Sequence, residues 1–343
     1  MPYPALSRII CHAIALVITF TSCTRDTDDV VSPPPDPTDT TQPIDSPVTE
    51  TLAPGWKEIK LPTDDYIYDI VFYGDTGYCY AGKHLYRSVD GGDNWEKVLF
   101  SPKHFGNISM GSAENAVILS AYSTGDLPST VYFTKNGGGS FDSLTFYDQV
   151  TDVFFINRET AFMIGKKFWK TIDGGASWQE VYNFNDSKGE YRSLYFLDEL
   201  NGFINKYNGA FFTGDGGITW KKLGLDGSAP ENYLGSIFFY SEEIGFLTGS
   251  HELATYNAAG KTIQFYYDFY DYGTAFYHDV HLVSADTGYA TNGRMVMKTT
   301  DRGNTWKVEL KTPAAELCEL HFIDANHGWA AGDKGTIYKY VKP

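Results

Sequence analysis

Little in this sequence of 343 residues points to redox or metal chemistry. It has four cysteines and eight histidines, and no Cys/His spacing of the zinc type occurs among them. Cys11 and Cys23 stand near the N-terminus, which leaves Cys79 and Cys318 for the folded part, read as two buried thiols. His278 and His281 lie three apart in a strand-like run and are expected to point to opposite faces, so they do not chelate one ion. The stretch Asn183-Phe-Asn185-Asp186 is too sparse for a calcium loop. No nucleotide-binding glycine loop occurs either, since the Gly-Gly pairs belong to the turns described below; no cofactor or metal is expected. Positive charge is scarce as well. The 27 Lys and Arg stand against 43 Asp and Glu, a formal net charge of −16, which argues against nucleic acid or an anionic membrane face as the main partner. The apolar run Ile9 to Phe20 is a dozen residues, too short to span a bilayer, which takes about 20.

What is abundant is aromatic and glycine content: 25 Tyr, 23 Phe, 7 Trp and 34 Gly. Aromatic residues favour strands and glycine punctuates them, so the fold class is all-β. Arg8 followed by the short apolar run reads as an export signal. Its end, Thr21-Ser22-Cys23, resembles a bacterial lipobox, although Phe20 stands where leucine is usual. The resemblance implies that residues 1–22 are a lipoprotein signal peptide and that Cys23 is the lipidated mature N-terminus. The expected location is then the cell envelope, at the outer membrane, on its periplasmic or external side, with the acyl chains as the only membrane contact. Residues 23–54 are dominated by Asp, Thr, Pro and Ser. So little apolar surface cannot offset the entropy of ordering, and the segment reads as an acidic tether.

Residues 55–343 repeat one pattern: Ser88-Val-Asp90-Gly-Gly92-Asp-Asn94-Trp95, then the turns ending at Trp178, Trp220 and Trp306, whose third positions are Asp173, Asp215 and Asp301. A looser copy has Asn136 at the third position and Phe141 at the close, and a degenerate one spans 255–263. The closing residues 95, 141, 178, 220, 263 and 306 recur every 37 to 46 residues, the length of one four-stranded propeller blade. The short carboxylate is expected to accept hydrogen bonds within a tight turn, glycine to supply positive φ, and the tryptophan to pack beneath. Asp90, Asp173, Asp215 and Asp301 are therefore structural. A second pattern, Asp69-Ile-Val-Phe72 followed by Gly77-Tyr78, returns at 152–155, 193–196, 236–239, 279–282 and 319–322 and marks innermost strands. The final unit lacks an outer strand, and Gly55-Trp56-Lys57-Glu58-Ile59 copies one. The N-terminal strand thus closes the last blade, and the expected fold is a seven-bladed β-propeller of four-stranded antiparallel blades. A six-bladed ring follows only if 255–263 is an insertion.

In such a ring the repeated turns share one face. The loops leading into the innermost strands share the other, which we call the lead-in face, and binding is expected there. Its candidates are Asp65, Tyr66, Tyr147, Asp148, Tyr191, Arg192, Tyr233, Asp271, Tyr272, His278 and Arg294. Lys83-His84, Lys166-Lys167, Lys206, His251, Arg294 and Lys334 on the opposing hairpins are expected to form a basic ring within this acidic one. Tyrosine beside carboxylate suits a protein surface or a sugar. Recurrent aromatics that merely pack loop on loop are the bland alternative.

The repeated turns are recognisable as Asp boxes, or BNR repeats, and across Trp56 to Tyr340 the grammar resembles photosystem II stability/assembly factor-like propellers. That resemblance implies a scaffold that holds a partner, here a monomeric, non-enzymatic binding or assembly module with an envelope protein or glycan as partner. The alternative is a carbohydrate-binding protein or a glycoside hydrolase with Asp65, Asp148 and Asp271 paired across the channel mouth. Sialidases resembling these repeats need three arginines at their site, and only Arg192 and Arg294 reach the candidate face.

Overall fold

The structure, a computed structural model, describes residues 52–103, 105–120, 128–184, 191–206, 209–223, 234–249, 253–257, 264–265, 277–313 and 315–343. The expected signal, Cys23 and most of the tether lie outside them. Among the described residues no helix is long and apolar enough to cross a membrane.

The strands form seven four-stranded antiparallel sheets. Six are runs of four consecutive strands. The first holds Ile67–Tyr73, Thr76–Ala81, His84–Ser88 and Glu96–Phe100. The second to sixth begin with Phe105–Met110, Val150–Phe155, Tyr191–Phe196, Leu234–Ser241 and Tyr277–Leu282. The seventh is composite: Leu317–Phe322, His327–Gly332 and Thr336–Val341 are completed at the edge by Trp56–Lys60. That edge pairs Trp56 with Tyr340 through Lys60 with Thr336. The sheets are unequal, since the outer strands of the fourth and fifth shrink to Lys221–Lys222 and Gln264–Phe265. The degenerate segment around 255 belongs to the fifth sheet and is not an insertion.

Apolar clusters join each sheet to the next, and the last to the first. Ile337, Ala331 and Trp329 of the seventh sheet pack against Ile67, Ile70 and Phe72 of the first, while Trp56, Leu320 and Tyr338 meet Tyr289 and Val296 of the sixth. The second sequence pattern makes these seams. At four seams the fourth residue of that pattern stacks on the aromatic of the preceding sheet's second strand: Phe72 on Trp329 at 3.6 Å, Phe239 on Phe203 at 3.5 Å, Phe196 on Phe162 and Phe322 on Tyr289, both at 4.0 Å. Directly across the hairpin each such Phe faces a glycine, as Phe72 does Gly77 and Phe196 does Gly202. A Cβ on Gly202 would fall 2.4 Å from the Phe196 ring. Gly202→Ala must therefore displace a stacked ring, and a loss of about 1–3 kcal/mol is expected; an unchanged urea midpoint would contradict it.

Each innermost strand also opens on a register shift, for example between Ile67 and Asp69, Val150 and Asp152, or Leu317 and Glu319. Such bulges bend the strand and re-aim its side chains. Beyond the bulge, strict alternation sends Ile70 and Phe72 into a seam and Asp69 and Val71 toward the ring axis.

Candidate functional site

Three regions of the ring could carry function: the face of repeated turns, the lead-in face and the axis. The repeated turns are structural. Asp90 accepts the Asn94 backbone N–H at 2.9 Å, the Asn94 side-chain amide at 2.7 Å and the Ser88 hydroxyl at 2.8 Å. The Ser88 oxygen in turn accepts the Gly92 N–H at 2.8 Å. Asp173, Asp215 and Asp301 repeat this with Ser177, Thr219 and Thr305. Asn136 does so with Ser140, donating to its hydroxyl through the amide. The turn is anchored to the innermost hairpin of its own sheet, where Gly91, Gly174 and Gly216 donate to the carbonyls of Asp75, Glu159 and Leu200.

The closing indoles of Trp95, Trp178 and Trp220 donate to the carbonyls of Gly92, Gly175 and Gly217. They and Trp306 are half-buried, so each contributes less than a fully covered ring. The turn hydrogen bonds, those to Asn94 first, hold the Asp90 carboxyl down at about 2. The ordinary unfolded value is about 3.9. A depressed carboxyl stabilises the fold above the unfolded value and loses that contribution as pH falls through the folded one. The difference in melting temperature between the native chain and Asp90→Ala should thus be constant above about pH 4 and shrink toward pH 2. Melts across that range check it, and a gap that widens with acidification would contradict it.

The turn face also carries apolar side chains that the repeat pattern does not foretell: Val89, Ile172, Leu200, Ile218 and Ile323 are 62, 70, 57, 61 and 39% exposed. They occupy turn positions, where exposure follows no period.

On the lead-in face the expected residues divide. Asp65 is exposed, accepts the Thr63 hydroxyl at 2.8 Å, and lies where a Cβ on Gly82 would come within 2.6 Å of its Oδ2. Its carbonyl accepts the Gly335 N–H at 2.8 Å, so this loop ties the first sheet to the seventh. Tyr66 is half-buried, its ring 5.0 Å from Tyr68, which stacks on Tyr80. Tyr147 is 90% exposed. Asp148 beside it pairs with Lys167 at 3.2 Å, and Lys167 also with Glu180 at 2.9 Å. Arg294 is exposed at a hairpin tip.

Tyr191, Arg192 and His278 lie on described strands, but their side chains fall outside the described residues, as do Tyr233, Asp271 and Tyr272 entirely. The expected basic ring is thus interrupted at Lys167, whose charge two carboxylates satisfy. Lys83, Lys166 and Lys334 are exposed. Asp65 and Asp148 each hold a loop in place and do not face one another as a free pair.

At the axis all seven innermost strands line a cavity of about 270 Å³. One end carries the leading residues of these strands. Asp69 accepts the Ile108 N–H at 2.6 Å, Asp152 the Leu194 N–H at 2.8 Å and Asp279 the Leu320 N–H at 3.1 Å. Each carboxylate therefore stitches its own sheet to the next. Deeper lies an arc of rings: Phe154 to Tyr195 at 4.8 Å, Tyr195 to Phe238 at 4.7 Å, Phe238 to His281 at 4.4 Å and His281 to His321 at 5.4 Å. His321 Nε2 lies 3.0 Å from the Phe72 carbonyl, which fixes it as the donor. Burial pushes the Tyr195 phenol up.

Sequence reasoning placed these residues on innermost strands without assigning them a site. The bulge between Tyr277 and Val280 also breaks the alternation on which the opposed orientation of His278 and His281 rests. Among the described residues no group of three or more His, Cys, Asp or Glu could hold a metal. Cys79 and Cys318 are free, buried thiols, and burial, then Asp69, pushes Cys79 up.

No family model and no curated protein matches the chain. Among solved structures, YCF48 bound to a D1 peptide aligns with a TM-score of 0.68 and 18% identity over 84% of this chain and 96% of that one. YCF48 from Cyanidioschyzon merolae gives the same score and identity over 84% and 99%. By fold, the chain is a β-propeller. An ancestral GH74 enzyme also aligns, with a TM-score of 0.65 and 13% identity, over 83% of this propeller but 46% of its own chain. At these identities the likeness shows the fold, which binding proteins and enzymes share, so function rests on the propeller's own surfaces.

Proposed function

We propose that this propeller is a tethered binding and assembly module of the cell envelope, anchored through a lipid on Cys23, that takes a protein partner on its lead-in face. The observation that carries the reading is the fully presented Tyr147 beside the Asp148–Lys167–Glu180 ion network. A rigid aromatic offered at a surface whose charges are already matched is the composition that protein interfaces favour.

The topology supports it. The strand Trp56–Lys60 starts on the turn face, opposite Tyr340, and runs toward the lead-in face. Residues 52–55 therefore enter the propeller on the turn face. A partner peptide on YCF48, whose fold is similar, agrees with a protein ligand. A photosynthetic role does not follow from it. The hydrolase reading loses ground because Asp65 and Asp148 are engaged in loop structure.

The test is Tyr147→Ala combined with Lys166→Glu, both exposed and free of core packing. Melting temperature should hold within about 1 °C while co-purification of envelope proteins with the tagged chain falls at least about fivefold, since anchor aromatics dominate interface energy. Undiminished co-purification, or turnover on a polysaccharide panel that Asp65→Asn removes, would overturn the proposal.

A further inference from the structure

We propose that the axial cavity is a receptor for a small organic cation of the ammonium or guanidinium type, held between the carboxylates of Asp69 and Asp279 and the arc Phe154–Tyr195–Phe238. The inference does not depend on the partner reading, because it concerns the axis and not the lead-in loops.

Three observations carry it. The cavity, about 270 Å³, lies just below the range of about 300–1,000 Å³ usual for drug-sized ligands, so it suits one compact group. Its wall is chemically one-sided. Asp69, Asp279, Tyr195, His281 and His321 are the titratable side chains among the lining residues, and no Lys or Arg is among them. Finally, the aromatic rings are contiguous, with successive centroids 4.8, 4.7 and 4.4 Å apart from Phe154 through Tyr195 and Phe238 to His281. The ring faces of Phe and Tyr attract cations electrostatically, most strongly where water is excluded.

The structural role of the carboxylates does not compete with this. A carboxylate is not required at this position for the sheets to assemble, since the second and fourth sheets place the neutral Asn107 and Ser193 there, Asn107 donating its amide to Asp152 at 2.6 Å. Where the strands bring Asp69 and Asp279 instead, the axis gains negative charge that hydrogen bonding alone does not call for. An anion or a neutral apolar ligand meets the wrong wall at one end or the other.

The test titrates choline and agmatine into the purified mature chain by calorimetry, with 3,3-dimethylbutan-1-ol as the neutral isostere of choline. At least one cation is expected to bind a single site per chain, with the alcohol weaker by about tenfold or more, the scale of a desolvated cation–π contact. Asp279→Asn, which removes the charge and keeps an acceptor for one of the two N–H groups, Val280 or Leu320, that the two carboxylate oxygens serve, and Phe238→Leu should each weaken the cation by a similar factor while retaining a cooperative melt. Equal affinity for the alcohol, no heat from either cation on the folded chain, or cation binding untouched by both substitutions would overturn the proposal.

Discussion

Deletion of residues 55–61 is expected to abolish the cooperative thermal transition of the native chain. The segment supplies the edge strand of the seventh sheet and, with it, both seams on either side of that sheet. Trp56 is 6% exposed and packs 5.1 Å from Tyr340, while Ile59 and Leu61 are 8% and 4% exposed against the seventh and first sheets. Truncating one buried tryptophan costs about 3–5 kcal/mol. Whole domains are stable by only about 5–15 kcal/mol. Loss of three buried side chains together with a ladder of backbone hydrogen bonds therefore takes most or all of the stability. The single substitution Trp56→Ala should leave a folded chain with a lowered melting temperature. Circular dichroism melts of the deletion and the point variant check both, and a deletion that melts like the native chain would contradict the closure.

Asp152→Ala is expected to be the most damaging single substitution away from that edge. Asp152 is 1% exposed and accepts the Asn107 amide at 2.6 Å, its neighbour Val153 N–H at 2.8 Å and the Leu194 N–H at 2.8 Å. One carboxylate thus ties the second, third and fourth sheets together around the axis. Alanine leaves three buried donors without an acceptor, each costing about 1–3 kcal/mol, and a total loss of about 3 kcal/mol or more is expected. Asp152→Asn keeps one carbonyl but aims an amide at donors, so its loss should be intermediate. Urea denaturation separates the three, and an alanine variant as stable as the asparagine one would show that the stitching is dispensable.

The closure was legible because Trp56-Lys57-Glu58 repeats the outer-strand pattern while the last unit lacks one. The turns were legible because hydrogen-bond chemistry fixes their spacing. The channel was not. The side chains pointing at the axis are Val71, Ser109, Phe154, Tyr195, Phe238, His281 and His321, which share no residue class, and only the bulge at the head of each strand decides that they face inward. A register shift of one residue exchanges channel for seam, and nothing in residue type announces it. The lead-in loops were located by topology, yet sequence could not show that Lys167 folds back between Asp148 and Glu180, since that contact joins a loop residue to two strands of the third sheet that are distant from it in sequence. The exposed apolar residues of the turn face escaped for a related reason: they interrupt no pattern.

The most direct test of the account compares the two faces in intact cells, with a photocrosslinking amino acid at position 147 in one variant and at position 218 in another. The account expects protein adducts from position 147 on the lead-in face, with position 218 on the turn face giving none above background. Adducts from 218 with none from 147 would place the partner on the opposite face and contradict it.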